Sequence, residues 1–230
     1  MRIAGLQKLS LVDYPGLVSA VIFTAGCDFS CSYCQNPDLV NAETSPAIST
    51  EEVLGYLSGR SGFVDGVVIT GGEPAMQKDL PQFISILKSM GFKVKLDTNG
   101  NDPGVLRELM MERLLDYAAL DIKTSFGKYS LVSPNPGTPA NIEESVYTLM
   151  LSTIDHEFRT TCVPGIVDEK DIGEISRYVR GAKKYFLQQF RPEITLDRSI
   201  RDLNLYSKED LLRFKEILSK HVRSVDVRGV

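Results

Sequence analysis

The sequence predicts an α/β fold built on a parallel sheet, and three observations predict it. Short β-branched runs alternate with segments of helical periodicity along most of the chain, the pattern of βα units whose helices cover the outer face of a parallel sheet. Several helical segments open on recognisable start signals. The units number six, too few for a complete eight-stranded barrel, so the sheet is expected to stay open as a partial (β/α)6 barrel.

The elements follow in order. A strand over 18–24 contains most of a largely apolar run and leads, after a loop, to a helix over 50–58, where Ser49-Thr50-Glu51-Glu52 resembles a capping box. A strand over 66–70 precedes a helix over 79–90, and a strand over 93–97 precedes a helix over 103–114 with Pro103 in its first turn after Asp102. The fourth strand covers 117–122, followed by a helix over 142–151 that Asn141 is placed to cap. Between them the Pro-rich stretch from Ser133 to Pro139 reads as a surface loop. The fifth unit pairs a strand over 157–163 with a helix over 169–180. The sixth strand covers 185–190, and a last helix over 208–220, opening after Ser207, leads to a short strand over 224–227. Residues 1–190 are thus expected to form the barrel domain, with 191–230 a helix-strand extension packed on it.

Composition narrows the function classes. A chain of 230 residues can bury a substantial core as one domain, and 43% hydrophobic with 24% charged residues is ordinary for a soluble globular protein. The opening residues lack the long apolar core of a signal peptide, and nowhere do about 18 apolar residues run together, so a cytoplasmic protein with no membrane partner is expected. The net charge is −4 and no basic block exceeds the pair Lys183-Lys184; the electrostatic term that drives nucleic-acid binding is missing.

In parallel βα folds chemistry gathers in the loops after the carboxyl ends of strands. After the first strand come Cys27, Cys31 and Cys34, a C-x3-C-x2-C array. Thiolates hold zinc and iron–sulfur clusters, but a closed zinc site or a fully ligated cubane needs four protein ligands. Neither His156 nor His221 is near in sequence, and Cys162 is distant. A [4Fe-4S] cluster on three cysteines leaves one iron open for a non-protein ligand; a zinc knob completed by Cys162 is the alternative. Disulfides fit less well, since 4 Cys in 230 residues is far below the density of a secreted scaffold. After the second strand come Gly71-Gly72-Glu73-Pro74, where two glycines open backbone conformations closed to other residues. Asp97-Thr98-Asn99-Gly100 end the third strand and read as an Asn-Gly turn. Asp121 and Lys123, two apart, share one face of the fourth strand and need charged partners if that face is buried. On the fifth strand Arg159 and Thr161 share a face opposite Cys162, which reads as a small buried residue. On the sixth, Gln188 and Gln189 lie on opposite faces and one of them should face inward.

The cysteine array, with the aromatic Tyr33 before its third cysteine, resembles the signature of the radical S-adenosylmethionine (radical SAM) enzymes. GGEP at Gly71–Pro74 resembles that family's motif for the amino group of the methionine moiety. The resemblance is closest to the activating proteins of anaerobic ribonucleoside-triphosphate reductase, similar also to pyruvate formate-lyase-activating enzyme. Leu11-Val12-Asp13-Tyr14-Pro15-Gly16 parallels a VDGPG-like segment, with Tyr14 where glycine is common, and Gln35-Asn36-Pro37 and the DTNG of 97–100 fit as well. It covers roughly residues 5 to 190.

This resemblance implies the partial-barrel fold of the radical SAM type and a [4Fe-4S] cluster on Cys27, Cys31 and Cys34. It implies S-adenosylmethionine held by Tyr33, Gly71, Gly72, Glu73, Pro74, Asp97, Thr98, Asn99, Asp121, Lys123, Arg159 and Gln188, with a monovalent cation near Asp97 and Asp121. The implied activity is cleavage of S-adenosylmethionine to methionine and a 5′-deoxyadenosyl radical that abstracts hydrogen from a glycine of anaerobic ribonucleotide reductase, with flavodoxin or ferredoxin as electron donor. With only Cys162 to spare, the chain has no cysteines for an auxiliary cluster. A radical SAM enzyme acting on a small molecule or another protein, and a non-catalytic zinc-binding module, are the alternatives.

Overall fold

A computed structural model describes residues 1–229. Its elements are β1 (Ile3–Ser10), β2 (Ser19–Thr24), α1 (Thr50–Ser58), β3 (Gly66–Gly71), α2 (Leu80–Ser89), β4 (Lys93–Thr98), α3 (Pro103–Met111), β5 (Tyr117–Asp121), α4 (Thr138–Met150), β6 (Asp155–Cys162), α5 (Glu169–Tyr178), β7 (Lys184–Gln189), α6 (Lys208–Ser219) and β8 (Ser224–Arg228). The chain divides into two compact units. One comprises Met1–Asp28, Asp38–Thr98 and Gly104–Ala118; the other comprises Phe29–Pro37, Asn99–Pro103 and the described residues from Ala119 onward.

In the first unit β2, β3 and β4 pair in parallel, with Val21 beside Val68 and Val68 beside Lys95. Their helices form for local reasons. Ser49 accepts a hydrogen bond from the Glu52 amide to start α1, and α2 buries Leu80, Phe83, Ile84 and Leu87, the i, i+3, i+4, i+7 stripe of an amphipathic helix. Each such side chain contributes about 1.5–3 kcal/mol on burial. Tyr14 is buried against Val21, Val68 and Tyr117, and Gly66 makes its room: a Cβ there would stand 2.8 Å from Tyr14 Cδ2. The tyrosine that departs from the VDGPG pattern is therefore a packing residue.

β1 was not expected. It pairs antiparallel with β2, with register shifts between Ile3 and Gly5 and between Gln7 and Ser10. Those irregularities, and the exposure of Gln7, Lys8 and Leu9 beside buried Ile3 and Ala4, erase the period-2 alternation by which a strand is recognised.

In the second unit β6, β7 and β8 pair in parallel. Reciprocal capping boxes start α5, between Asp168 and Asp171, and α6, between Ser207 and Asp210. The fourth helix corrects the expectation: α4 begins at Thr138, with Pro139 in its first turn. Asn141 is inside it and is no cap; its side-chain amide donates to Asn101 O at 3.0 Å. The Pro-rich stretch is only partly a surface loop. Ser133 and Thr138 are buried and joined hydroxyl to hydroxyl at 2.9 Å, while Pro134 to Gly137 are exposed.

One buried titratable group in this unit predicts a pH effect. His156 packs edge-on to Phe158; its Nδ1 stands 3.1 Å from Ile154 O and its Nε2 has no hydrogen-bond partner among the described residues. Burial pushes the imidazole below its usual 6.5, outweighing the Ile154 carbonyl. The fold therefore prefers neutral His156, and the unfolded chain takes up the proton first as pH falls. Stability present above about 6.5 should decline on acidification below it; thermal unfolding between pH 7.5 and 5 should show a smaller decline in His156→Phe than in the parent.

Candidate functional site

The first unit builds the start of the cysteine loop and the glycine turn beside it. At the end of β2, Gly26 takes φ +95°, its amide donates to Leu39 O at 2.7 Å, and the Cys27 amide donates to Val40 O at 3.1 Å. At the end of β3 the amides of Gly72 and Glu73 donate to Thr24 O and Gly26 O, both at 2.8 Å. The two strand ends approach too closely for side chains. A Cβ on Gly71, whose φ is +115°, would lie 2.4 Å from Thr24 N, and one on Gly72 would lie 2.0 Å from Gly26 O. Glu73, 2% exposed, uses its carboxylate locally: Oε1 accepts from the Ala75 amide at 3.0 Å, capping a 3-10 turn over Pro74–Met76, and from the Thr98 hydroxyl at 2.7 Å. Next to Thr98, Asp97 Oδ1 accepts from Lys95 Nζ at 2.6 Å.

The second unit carries the rest of the loop. The Cys34 amide donates to Cys31 O at 3.0 Å, a tight turn that encloses Tyr33. Tyr33 is buried and its hydroxyl donates to Lys123 O at 3.4 Å. The turn is pinned from outside: the Ser30 amide donates to Val132 O, the Asp197 amide to Ser32 O, and the Gln35 side chain to Arg191 O, at 2.9, 2.8 and 3.1 Å. Arg191 and Asp197 lie in the stretch where sequence resemblance thins, and only these contacts reveal their role.

Asp121, Lys123 and Arg159 come together. Asp121 Oδ2 accepts from Lys123 Nζ at 3.0 Å and Oδ1 from Arg159 Nε at 2.6 Å. Burial alone would raise the Asp121 carboxyl, but the Arg159 guanidinium and the Lys123 ammonium overcome it and hold the group well below the usual carboxylate range. Burial likewise opposes the Lys123 charge, and the Asp121 carboxylate wins, raising its pKa. The three groups are thus all ionised, one carboxylate between two cations, and together carry one excess positive charge. The Lys123 amide donates to the Tyr129 hydroxyl at 3.2 Å, and Phe29 meets the Tyr129 ring edge-on. Asn99 shapes its own loop, its Oδ1 accepting from the Asn101 amide at 2.9 Å.

Strand register resolves the two glutamines. Gln188 pairs with Thr161 and so shares the Arg159 and Thr161 face; Gln189 pairs with Cys162 on the opposite face and donates to Tyr206 O at 3.2 Å. Cys162 is fully buried there, and burial pushes its thiol up to about 12. Cys31 is pushed up to about 11 by burial, against the pull of the Lys123 ammonium.

Residues 21–179 match the radical SAM superfamily. The chain belongs to the radical SAM superfamily. Over 99% of its length it is 34% identical to a Methanocaldococcus jannaschii protein assigned as a glycyl-radical enzyme activating enzyme, covering 96% of that protein. It is also 25% identical to the pyruvate formate-lyase-activating enzyme of Clostridium pasteurianum, covering 95% of this chain and 97% of that one. Among solved structures, Streptococcus suis SuiB bound to S-adenosylmethionine superposes with a TM-score of 0.69 at 17% identity. The match covers 91% of this chain and about half, 50%, of SuiB, and it shows the shared α/β partial-barrel fold. The chain is a radical SAM oxidoreductase of the activating-enzyme family.

Membership implies a [4Fe-4S] cluster and S-adenosylmethionine, and the residues suit both. None of the four cysteines is held in a disulfide. Among the described residues no three His, Cys, Asp or Glu side chains converge to hold one metal ion; a cubane presents separate irons, each to its own thiolate. A thiol that burial drives toward the neutral form, as at Cys31, is deprotonated outright by a coordinated metal. Among the described residues no helix is long and apolar enough to cross a membrane.

Proposed function

We propose that this protein installs a glycyl radical on an anaerobic ribonucleoside-triphosphate reductase, with flavodoxin or ferredoxin as electron donor, in the cytoplasm. The observation that carries the reading is the full-length relationship to an assigned glycyl-radical enzyme activating enzyme; the VDYPG, DTNG and QNP segments support the choice of target. When bound, the reduced cluster and S-adenosylmethionine supply a 5′-deoxyadenosyl radical that takes a hydrogen atom from a glycine α-carbon.

The chain's own residues hold and orient. Cys27, Cys31 and Cys34 are the cluster ligands. The backbone at Gly71 and Gly72, free of side chains, receives the amino group of the methionine moiety, while Glu73 and Thr98 keep that turn rigid through their mutual hydrogen bond. Lys123 meets the methionine carboxylate and Asp121 the amino group, with Arg159 holding Asp121 ionised for the purpose. Asp97, Asn99, Gln188, Tyr33 and Pro74 complete the surroundings. A monovalent cation would have to share Asp97 with Lys95, and Asp121 with Lys123 and Arg159.

Lys123→Ala should keep the cluster and weaken S-adenosylmethionine binding by about 10- to 100-fold, the worth of a charge-assisted hydrogen bond. Anaerobic calorimetry giving an unchanged affinity would remove Lys123 from the site. The function itself is tested by mixing reduced protein, S-adenosylmethionine and the candidate reductase under anaerobic conditions. The expected result is the doublet of a glycyl radical in electron paramagnetic resonance together with ribonucleotide reduction. Methionine and 5′-deoxyadenosine formed with no radical on the reductase or on another glycyl radical protein would favour the small-molecule reading. Zinc in place of iron and sulfide after anaerobic purification would favour the binding-module reading.

A further inference from the structure

Lys95 is a lysine in an unusual place. It is 2% exposed on β4, where an ammonium stays charged only against a counter-charge. Lys95 and Asp97 are two apart on the strand and share a face, so the side chain reaches along β4 to the carboxylate, 2.6 Å away, with Asp97 itself 14% exposed. In register with Lys95 lies Val68, part of the apolar cluster of Tyr14, Val21, Val68 and Tyr117. The ammonium also stands 6.0 Å from the Tyr117 ring centroid, at the edge of cation–π range. Apolar packing on one side and a carboxylate on the other leave the charge one direction in which to be satisfied.

The geometry points to a built-in counter-ion: the Lys95 ammonium takes the place beside Asp97 that a free monovalent cation would fill, and Lys95 is a positioning residue for that carboxylate. An alkylammonium head and a potassium ion carry the same charge and are close in size, so one substitutes for the other at a carboxylate. A tethered ammonium pays no binding entropy and cannot be washed away. The inference rests on Asp97 standing beside the cofactor, as proposed above, and it withdraws the free cation at this carboxylate.

The test compares potassium chloride with choline chloride at equal ionic strength, choline being too large to enter. In cluster-free protein, where neither partner nor cofactor enters, the unfolding temperature of the parent should be the same in both salts. Lys95→Met, which keeps most of the length and the apolar bulk but removes the ammonium from Asp97, should be less stable in choline and regain stability in potassium. In cluster-loaded Lys95→Met the affinity for S-adenosylmethionine should fall about 10- to 100-fold in choline and recover in potassium, whereas Lys95→Arg should bind like the parent in both. Lys95→Met/Asp97→Asn, with both charges gone, should fold without preference for either salt. A parent that itself needs potassium, or a Lys95→Met protein indifferent to it, would overturn the assignment. So would a double variant as unstable as the single one, since the defect would then be one of packing. Failure of the reductase assay with these salt effects intact would sink the target and leave the counter-ion standing.

Discussion

Alanine at any one of Cys27, Cys31 or Cys34 is expected to abolish the iron–sulfur cluster and with it all cleavage of S-adenosylmethionine, while serine at Cys162 leaves both intact. The asymmetry comes from position. Cys31 closes the turn to the Cys34 amide, and that turn is held by Val132, Arg191 and Asp197, so Cys31 and Cys34 sit on a fixed backbone; the Cys27 amide is held separately by Val40 O. Cys162 is fully buried, on the β6 face opposite the one that Arg159 and Thr161 share. Iron and sulfide analysis with the broad visible absorption after anaerobic reconstitution checks the prediction. A Cys162→Ser protein that loses its cluster, or a Cys27→Ala protein that keeps one, would contradict it.

The second large effect is expected at Gly72. A methyl group there would lie 2.0 Å from Gly26 O, which is backbone and cannot rotate away, so the ends of β2 and β3 must separate. That separation breaks the Glu73 amide to Gly26 carbonyl bond and moves both the Gly71-Gly72 turn, proposed above to receive the methionine amino group, and the start of the cysteine loop. Overpacking strain of this kind costs about 1–3 kcal/mol or more, and a chain of this size loses about 2–4 °C in unfolding temperature per kcal/mol. Gly72→Ala should therefore melt several degrees lower and bind S-adenosylmethionine at least about tenfold more weakly, losing a positioned hydrogen bond. Gly173→Ala is the control. Gly173 lies inside α5, and a Cβ there meets nothing within 4 Å; helix propensity should raise stability by up to about 1 kcal/mol. Equal stability in Gly72→Ala and the parent would mean that the strand ends yield, and that the glycine is a turn preference only.

Both predictions combine a residue legible in the sequence with a contact that is not. The cysteines, the glycine pair and the Asp121/Lys123 pair stand out in one dimension because spacing and residue type carry their chemistry. The helices were legible for a similar reason. Ser49 and Ser207 cap through hydrogen bonds to amides three residues away, and the buried stripe of α2 repeats within two turns, so each signal is complete inside the window that reads it.

What the tertiary structure alone decided depends on register and on close approach between distant segments. β1 exists because β2 offers it hydrogen bonds through two register shifts, and no alternation along Ile3–Ser10 announces it. Gln188 was separated from Gln189 by its pairing with Thr161. Lys95 looks in sequence like any solvated lysine of an alternating strand; burial beside Asp97 makes it an ion pair. Capping and periodicity are satisfied within a few residues, so the chain by itself determined the βα units and which motifs follow the ends of their strands. Strand register, the fit of Gly72 against Gly26 and the partners of buried charges are set by contacts across many residues, and those form only when the sheet does.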